Sequence, residues 1–251
     1  MQLRFPKPLH GWRAFVGEVG IIVLGVLIAL ACGQLVDSWQ WRNKIRHAEA
    51  AMRLELAEDN GPQAYGRLLI GRCLNEQIVR IRDGTGKATP EQLRQWVAAY
   101  APPFQTWDSE AWKALVASDI GSHLGSDRLI AWSSPYRMLP ALSDHNERES
   151  QLVMQLRDIL PPSGEPSPSD LQSLRQTAGQ LGQLNRRFMV ASQLLLRRIG
   201  MLGAQVPEPI QRELTLDAGK IYGNCITVPD VNAKPVLQGL RANLRNASLS
   251  Q

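Results

Sequence analysis

From Val19 to Val36 the chain reads VGIIVLGVLIALACGQLV, 18 residues without a charge, and no later stretch of the 251 residues comes near that length uncharged. Eighteen helical residues rise about 27 Å, close to the roughly 30 Å hydrocarbon core of a bilayer. The run therefore predicts a single transmembrane helix over residues 15–36. A short segment, residues 1–14, lies on one side of it, and everything after residue 36 lies on the other. Aromatics stand at both borders, Trp12 and Phe15 before the run and Trp39 and Trp41 after it, where spanning helices meet the headgroups.

Basic residues flank the run on both sides, Arg4, Lys7 and Arg13 before it and Arg42, Lys44 and Arg46 after it, so counting positive charges does not orient it. A basic stretch leading into an apolar one has the form of an export signal. Together with the cysteines discussed below, it predicts a cytoplasmic N-terminus and an exported C-terminal domain. Two fates stay open for the segment. Ala29-Leu30-Ala31 before Cys32 fits a small-x-small cleavage site, and Cys32 invites a lipoprotein reading that Ala29 and Leu30 fit poorly. A retained helix accounts for both aromatic borders and for Leu35 and Val36 beyond the cleavage point; a cleaved peptide accounts for one end only. Retention is the reading taken here.

Net charge is +5, which by itself suggests nucleic acid, but its distribution removes that reading. Residues 1–53 hold seven of the 28 basic residues and three of the 23 acids, leaving 21 and 20 for the rest. The excess belongs to the membrane flanks, where it meets anionic headgroups, and no basic tract remains to hold phosphates. Of the three cysteines, Cys32 lies inside the apolar run, while Cys73 and Cys225 stand far apart beyond it. Two cysteines in an exported domain have one possible pairing; the competing reading is two unrelated buried thiols. A Cys73–Cys225 bridge closes a loop of roughly 150 residues, about 4–5 kcal/mol in chain-entropy terms.

Helical periodicity runs along most of the remainder, with few aromatics and much Leu and Ala. Ile45, Met52 and Leu56 carry the first helix on to about Asp59, and Asn60-Gly61-Pro62 interrupts it as a kink or short turn. Tyr65, Leu69, Cys73, Ile78 and Ile81 share one side of the next helix. Thr89-Pro90-Glu91-Gln92 has the form of a capping box with proline at the first helical position. A helix near Asp108 carries Trp112, Leu115 and Val116, and a longer helical region to about Leu160 is broken at Pro135 and Pro140. Residues 161–168, PPSGEPSP, read as a linker, and Leu174, Ala178, Leu181, Phe188 and Leu195 mark a last strong helix over 169–199. At most two strand-like fragments follow, around Ile221 and Ile226. The expected fold is all-α, an N-terminal transmembrane helix continuing into a helical bundle domain over 37–215 with a loop-rich tail over 216–251.

The run Trp12-Arg13-x-Phe15-x-Gly17-Glu18-Val19, followed by Ile22 and Gly25 to Leu30, resembles a group of bacterial single-pass inner-membrane proteins of unknown function with an N-terminal W-R-x-F-x-G-E signature before an apolar run. Tyr222-Gly223-x-Cys225 is similar to a short motif of the same group. The specific part covers about 25 residues. The resemblance implies a single-pass anchor in the bacterial inner membrane and a mostly helical domain in the periplasm, and it transfers no catalytic residue.

Within the apolar run, Gly25, Ala29 and Gly33 recur every four residues, and Glu18 lies near the same face. Such a row lets two helix backbones approach closely, so it predicts a homodimer or a docking face for another membrane protein; the plainer reading is that small residues are common in such helices. Trp107, Trp112 and Trp132, with Tyr136, are candidates to line a ligand pocket between helices, against the plainer reading as core. Gly84-Thr85-Gly86-Lys87 hints at a phosphate loop, but Ala88 follows the lysine and a helix precedes it, so it reads as a helix-ending loop. His145 lies beside Asp144 and Glu147 with no second His or Cys at ligand spacing, which argues for a solvated helix start over a metal site. No catalytic motif is present, so no catalytic, cofactor or metal residue is assigned. The functional expectation is an anchored interaction or scaffold module without nucleic-acid partners; the alternative is a ligand-binding sensor domain acting through a partner subunit.

Overall fold

A computed structural model describes residues 12–230, with side chains from Phe15 onward. Most of the predicted segment 1–14, with Arg4, Lys7 and His10, and the last part of the predicted tail, 231–251, lie outside the described residues. The described chain is all-helical, with no strand among the described residues. Ile221 lies in a helix and Ile226 in irregular chain, so neither strand-like fragment forms. By internal packing the chain divides into Met1–Ala48 and Glu49–Gln251.

The first unit belongs to α1 (Trp12–Leu54), a 43-residue helix. Its apolar run is exposed throughout: Ile21 is 73% and Leu35 67% accessible. Near the end of this unit Lys44 Nζ lies 4.4 Å from the centre of the Trp41 ring.

The second unit begins with the last residues of α1. Instead of stopping at Asn60-Gly61-Pro62, the helix widens into a π-helical turn, Glu55–Asn60, and continues as α2 (Gly61–Gly84). The interruption expected there takes the form of a π-helical turn within a continuous helix and not of a short turn, and contacts distant in sequence shape it. Pro62 follows the π-helical turn, whose wider pairing (Gly61 N–H to the Leu56 carbonyl) accommodates a residue without a donor. Asn60 is buried and pins the strap at Asp108, its Nδ2–H donating to the Asp108 carbonyl at 2.8 Å and its Oδ1 accepting from the Asp108 N–H at 3.0 Å. Gly61 is required by close approach: a Cβ there would stand 2.7 Å from Val206 Cγ2 and 2.8 Å from the Leu56 carbonyl oxygen.

The remaining helices are α3 (Pro90–Ala99), α4 (Glu110–Ala117), α5 (Ile120–His123), α6 (Ser126–Tyr136), α7 (Leu139–Ile159), α8 (Pro168–Met201) and α9 (Glu208–Tyr222), followed by a 3-10 turn, Gly223–Cys225. Capping explains several starts: Thr89 with Gln92 and Ser167 with Asp170 each form a reciprocal capping box, opening α3 and α8. Pro135 sits in the last turn of α6 and Pro140 in the first of α7, which divides that region as expected. α9 runs through residue 216, where the loop-rich tail was expected to begin.

The core lies where α2 packs along α8, with α7 on α8 and α9 on α2. Both predicted stripes face it: Tyr65, Leu69, Cys73, Ile78 and Ile81 on α2, and Leu174, Ala178, Leu181, Phe188 and Leu195 on α8, are all buried. On α4 only one of the two expected aliphatics turns inward; Leu115 is buried and Val116 is exposed.

Candidate functional site

Four places bring chemistry-bearing side chains together or leave a patterned face uncovered. The first is the cysteine pair. Cys73, buried on α2, lies with its sulfur at disulfide distance from Cys225 of the 3-10 turn, Cα to Cα 5.2 Å. Backbone contacts hold the same joint: Arg72 donates from Nε to the Cys225 carbonyl at 3.0 Å, and the Thr227 N–H donates to the Leu69 carbonyl at 2.9 Å. Cys32 is exposed and unpaired on α1.

The second is a buried ion pair that no sequence motif marks. Arg67 of α2 is fully buried and grips Glu149 of α7 with both terminal nitrogens, each at 2.7 Å. Its Nη2 also donates to Asn185 Oδ1 of α8 at 2.8 Å, and Asn185 Nδ2 donates to the Gly71 carbonyl at 2.9 Å. The guanidinium carbon stands 4.3 Å from the centre of the Phe188 ring. Around this centre the Tyr100 phenol is pushed up, first by burial and then by the Glu149 charge. Tyr100 Oη and Arg67 Nε have no hydrogen-bond partner among the described residues. His145 meets Phe188 edge-on at 5.9 Å; burial, then Arg187, hold its pKa below the ordinary value. A signal for the network was present in the sequence. Glu149 falls on the heptad line of Leu142 and Leu156, and Asn185 lies between Leu181 and Phe188 on the stripe of α8.

The third is a pocket of about 420 Å³ between α4 and the α6–α7 junction. Three of the four expected aromatics line it, Trp107, Trp112 and Tyr136, and Trp112 stacks on Tyr136 at 5.4 Å with 16° between planes. Trp132 does not; it is buried and donates its indole N–H to Glu49 at 3.0 Å. Leu139 and Pro140 add apolar wall, and Ser109, Ser143, Lys113 and Arg137 supply the polar groups. Beneath it Tyr136 Oη donates to the Met52 carbonyl at 3.3 Å, and burial together with the Glu55 carboxylate pushes that phenol up. Two other concavities offer less. One of about 290 Å³ at the C-terminal end of α8 has no aromatic lining. In another of about 710 Å³, Arg94 and Arg157 are already engaged by the carbonyls of Pro161, Gly164 and Tyr100.

The fourth is the small-residue row of α1. Gly25 and Gly33 would each accept a Cβ with nothing within 4 Å, and Glu18 and Ala29 are exposed, so no part of the described chain covers that face.

The remaining candidates are quiet. Thr85 is buried, donates to the Arg82 carbonyl at 2.7 Å and accepts from Arg175 Nε at 2.9 Å, while Gly86 takes a left-handed φ of 87°. The Gly84–Lys87 loop thus ends α2 and is occupied by an arginine of α8. No group of three or more His, Cys, Asp and Glu side chains converges among the described residues.

One helix of the described chain is long and apolar enough to cross a membrane. Comparison with protein-family models, with curated proteins and with solved structures finds no match to this chain.

Proposed function

We propose that this chain is a single-pass protein of the bacterial inner membrane, with its N-terminus in the cytoplasm and a helical periplasmic domain that serves as an interaction or scaffold module. The observation that carries the reading is the exposure of the apolar run: none of its 18-residue core is buried by the chain itself. Contiguous apolar surface of that extent is unfavourable in water and is relieved by a lipid bilayer. The W-R-x-F-x-G-E resemblance supports the inner membrane, and a cysteine pair at disulfide distance suits an oxidising compartment. The uncovered row of Gly25, Ala29 and Gly33 supports a homodimer or a membrane-protein partner. A second reading, a ligand-binding sensor acting through a partner subunit, is favoured by the aromatic pocket.

Thiol accessibility in intact cells tests the placement. In a Cys32→Ser background, free thiols are blocked, the protein is reduced, and newly exposed thiols take a mass-tagged maleimide. Tags on Cys73 and Cys225 only after reduction are the expected result. Reaction of both thiols without reduction overturns the exported, bridged domain and moves a cytosolic tethered role to the front.

A further inference from the structure

We infer that the pocket between α4 and the α6–α7 junction binds a small, flat, apolar molecule bearing one anionic group, with aromatic carboxylates as the ligand class. The inference deepens the ligand-binding reading and does not depend on anchoring, because every residue it uses lies in the Glu49–Gln251 unit. At about 420 Å³ the pocket falls within the range of small-molecule sites. Trp112, half-buried and held by its stack on the buried Tyr136, gives the pocket an aromatic wall against which a planar system packs with little loss of side-chain freedom.

The charge of the lining selects the sign of the ligand. Lys113 and Arg137 line the pocket, and no carboxylate does. Lys113 pairs with Glu110 at 2.8 Å, with side chains 65% and 77% exposed, and the Glu55 and Asp108 charges also act on it, so Arg137 is the cation left for a ligand anion, while the exposed Lys113–Glu110 pair is itself worth little. Arg137 is exposed, and no other described side chain is bonded to it; its planar fork suits a carboxylate. A further donor, the Trp107 indole N–H, is buried and has no acceptor among the described residues. An aromatic cage for a quaternary ammonium ion uses the same residue types, but two cations in the lining oppose it. Glu55, the nearest buried carboxylate, accepts the Ala111 N–H at 2.8 Å and is not part of the lining.

The test is isothermal titration of the full chain in detergent micelles with 2-naphthoate, 2-naphthamide and 2-naphthylmethylammonium, each corrected by titration into micelles alone. The expected result is one saturable site for naphthoate. The amide and the ammonium analogue should bind at least about tenfold more weakly, a difference the size of one good charged contact. Arg137→Gln should weaken naphthoate by about the same factor, and Trp112→Leu should abolish saturable binding. Should Trp112→Leu fail to fold by circular dichroism, Arg137→Gln, an exposed polar change, carries the test alone. Naphthoate heats no different from micelles alone, an ammonium analogue that binds as tightly, or an Arg137→Gln variant with unchanged affinity would each overturn the proposal. Any of these outcomes leaves the thiol-accessibility result, and with it the anchored reading, unaffected.

Discussion

At the residue scale, the strongest commitment in the described chain is Arg67. Taking an arginine and a glutamate out of water is costly, and a bidentate pair with further hydrogen bonds offsets that cost while fixing which helix faces meet. Here the offset is partial: Glu149 takes two bonds and Asn185 a third, and Phe188 supplies an aromatic face, while Arg67 Nε stays without a partner among the described residues. Removing one partner leaves the other charged and stranded. Arg67→Met or Glu149→Leu alone should therefore cost about 3–5 kcal/mol, and the double variant should recover most of the loss. Chemical denaturation of the four proteins measures this; single variants as stable as the parent would mean that water reaches the pair. His145, beside the same ring, gives a pH signature. Its pKa is lowered in the folded chain by burial and by Arg187 and Arg67, with Asp144 opposing, so folding favours the neutral imidazole. That contribution is fully present above the unfolded pKa of about 6.5 and is lost as pH falls below it through the lowered folded value. Melting midpoints should decline between pH 7.5 and 5, and His145→Gln should flatten part of that decline.

At the element scale, α1 and α8 show what period and spacing can carry. The stripe of α8 was legible because Leu174, Ala178, Leu181, Phe188 and Leu195 all turn the same way, and the Thr89 box announces itself by a hydroxyl three residues before Gln92, whereas the Ser167 box was hidden in what reads as a linker. The polar members of the same stripes, Glu149 and Asn185, were legible in position but not in role, since their partner sits on α2 and no local rule joins them. Asn60-Gly61-Pro62 reads as a kink or short turn by turn chemistry, yet the helix passes through it as a π-helical turn, and Gly61 answers to Val206, distant in sequence. Trp132 was drawn away from the predicted pocket by Glu49 for the same reason. On α1 the row Gly25, Ala29 and Gly33 has no such distant partner in the described chain. If two copies use it, Gly25→Leu with Ala29→Leu should lower self-association in a membrane two-hybrid assay to the level of an unrelated helix, whereas Leu27→Ala, about 200° around the wheel, should leave it unchanged. An unchanged signal from the double variant would remove the row as an interface.

At the scale of the whole molecule, the question is what ties the chain's late segment to its early one. Cys73 and Cys225 are 152 residues apart in sequence, and the joint they make brings the Gly223–Cys225 turn onto α2. Little else does so after α9: Arg72 reaches the Asn224 and Cys225 carbonyls from an exposed position, and one backbone bond joins Thr227 to Leu69. Ile221 and Val228 on either side are exposed, so apolar burial adds little there. A cross-link across so long a loop acts mainly on the unfolded chain, by removing conformations it would otherwise reach. In the oxidised protein the bridge should be worth about 2–4 kcal/mol, short of the full chain-entropy figure as cross-links usually are, or roughly 5–15 °C in melting midpoint for a domain of this size. The Cys73→Ser, Cys225→Ser double variant of the full chain should melt lower by that amount, and the parent in excess reductant should melt with it. Cys73→Ser alone should match the double variant, because a thiol without its partner closes no loop. If the oxidised parent and the double variant melt together, the two sulfurs are neighbours without being joined, and the late segment is held by Arg72 and Thr227 alone.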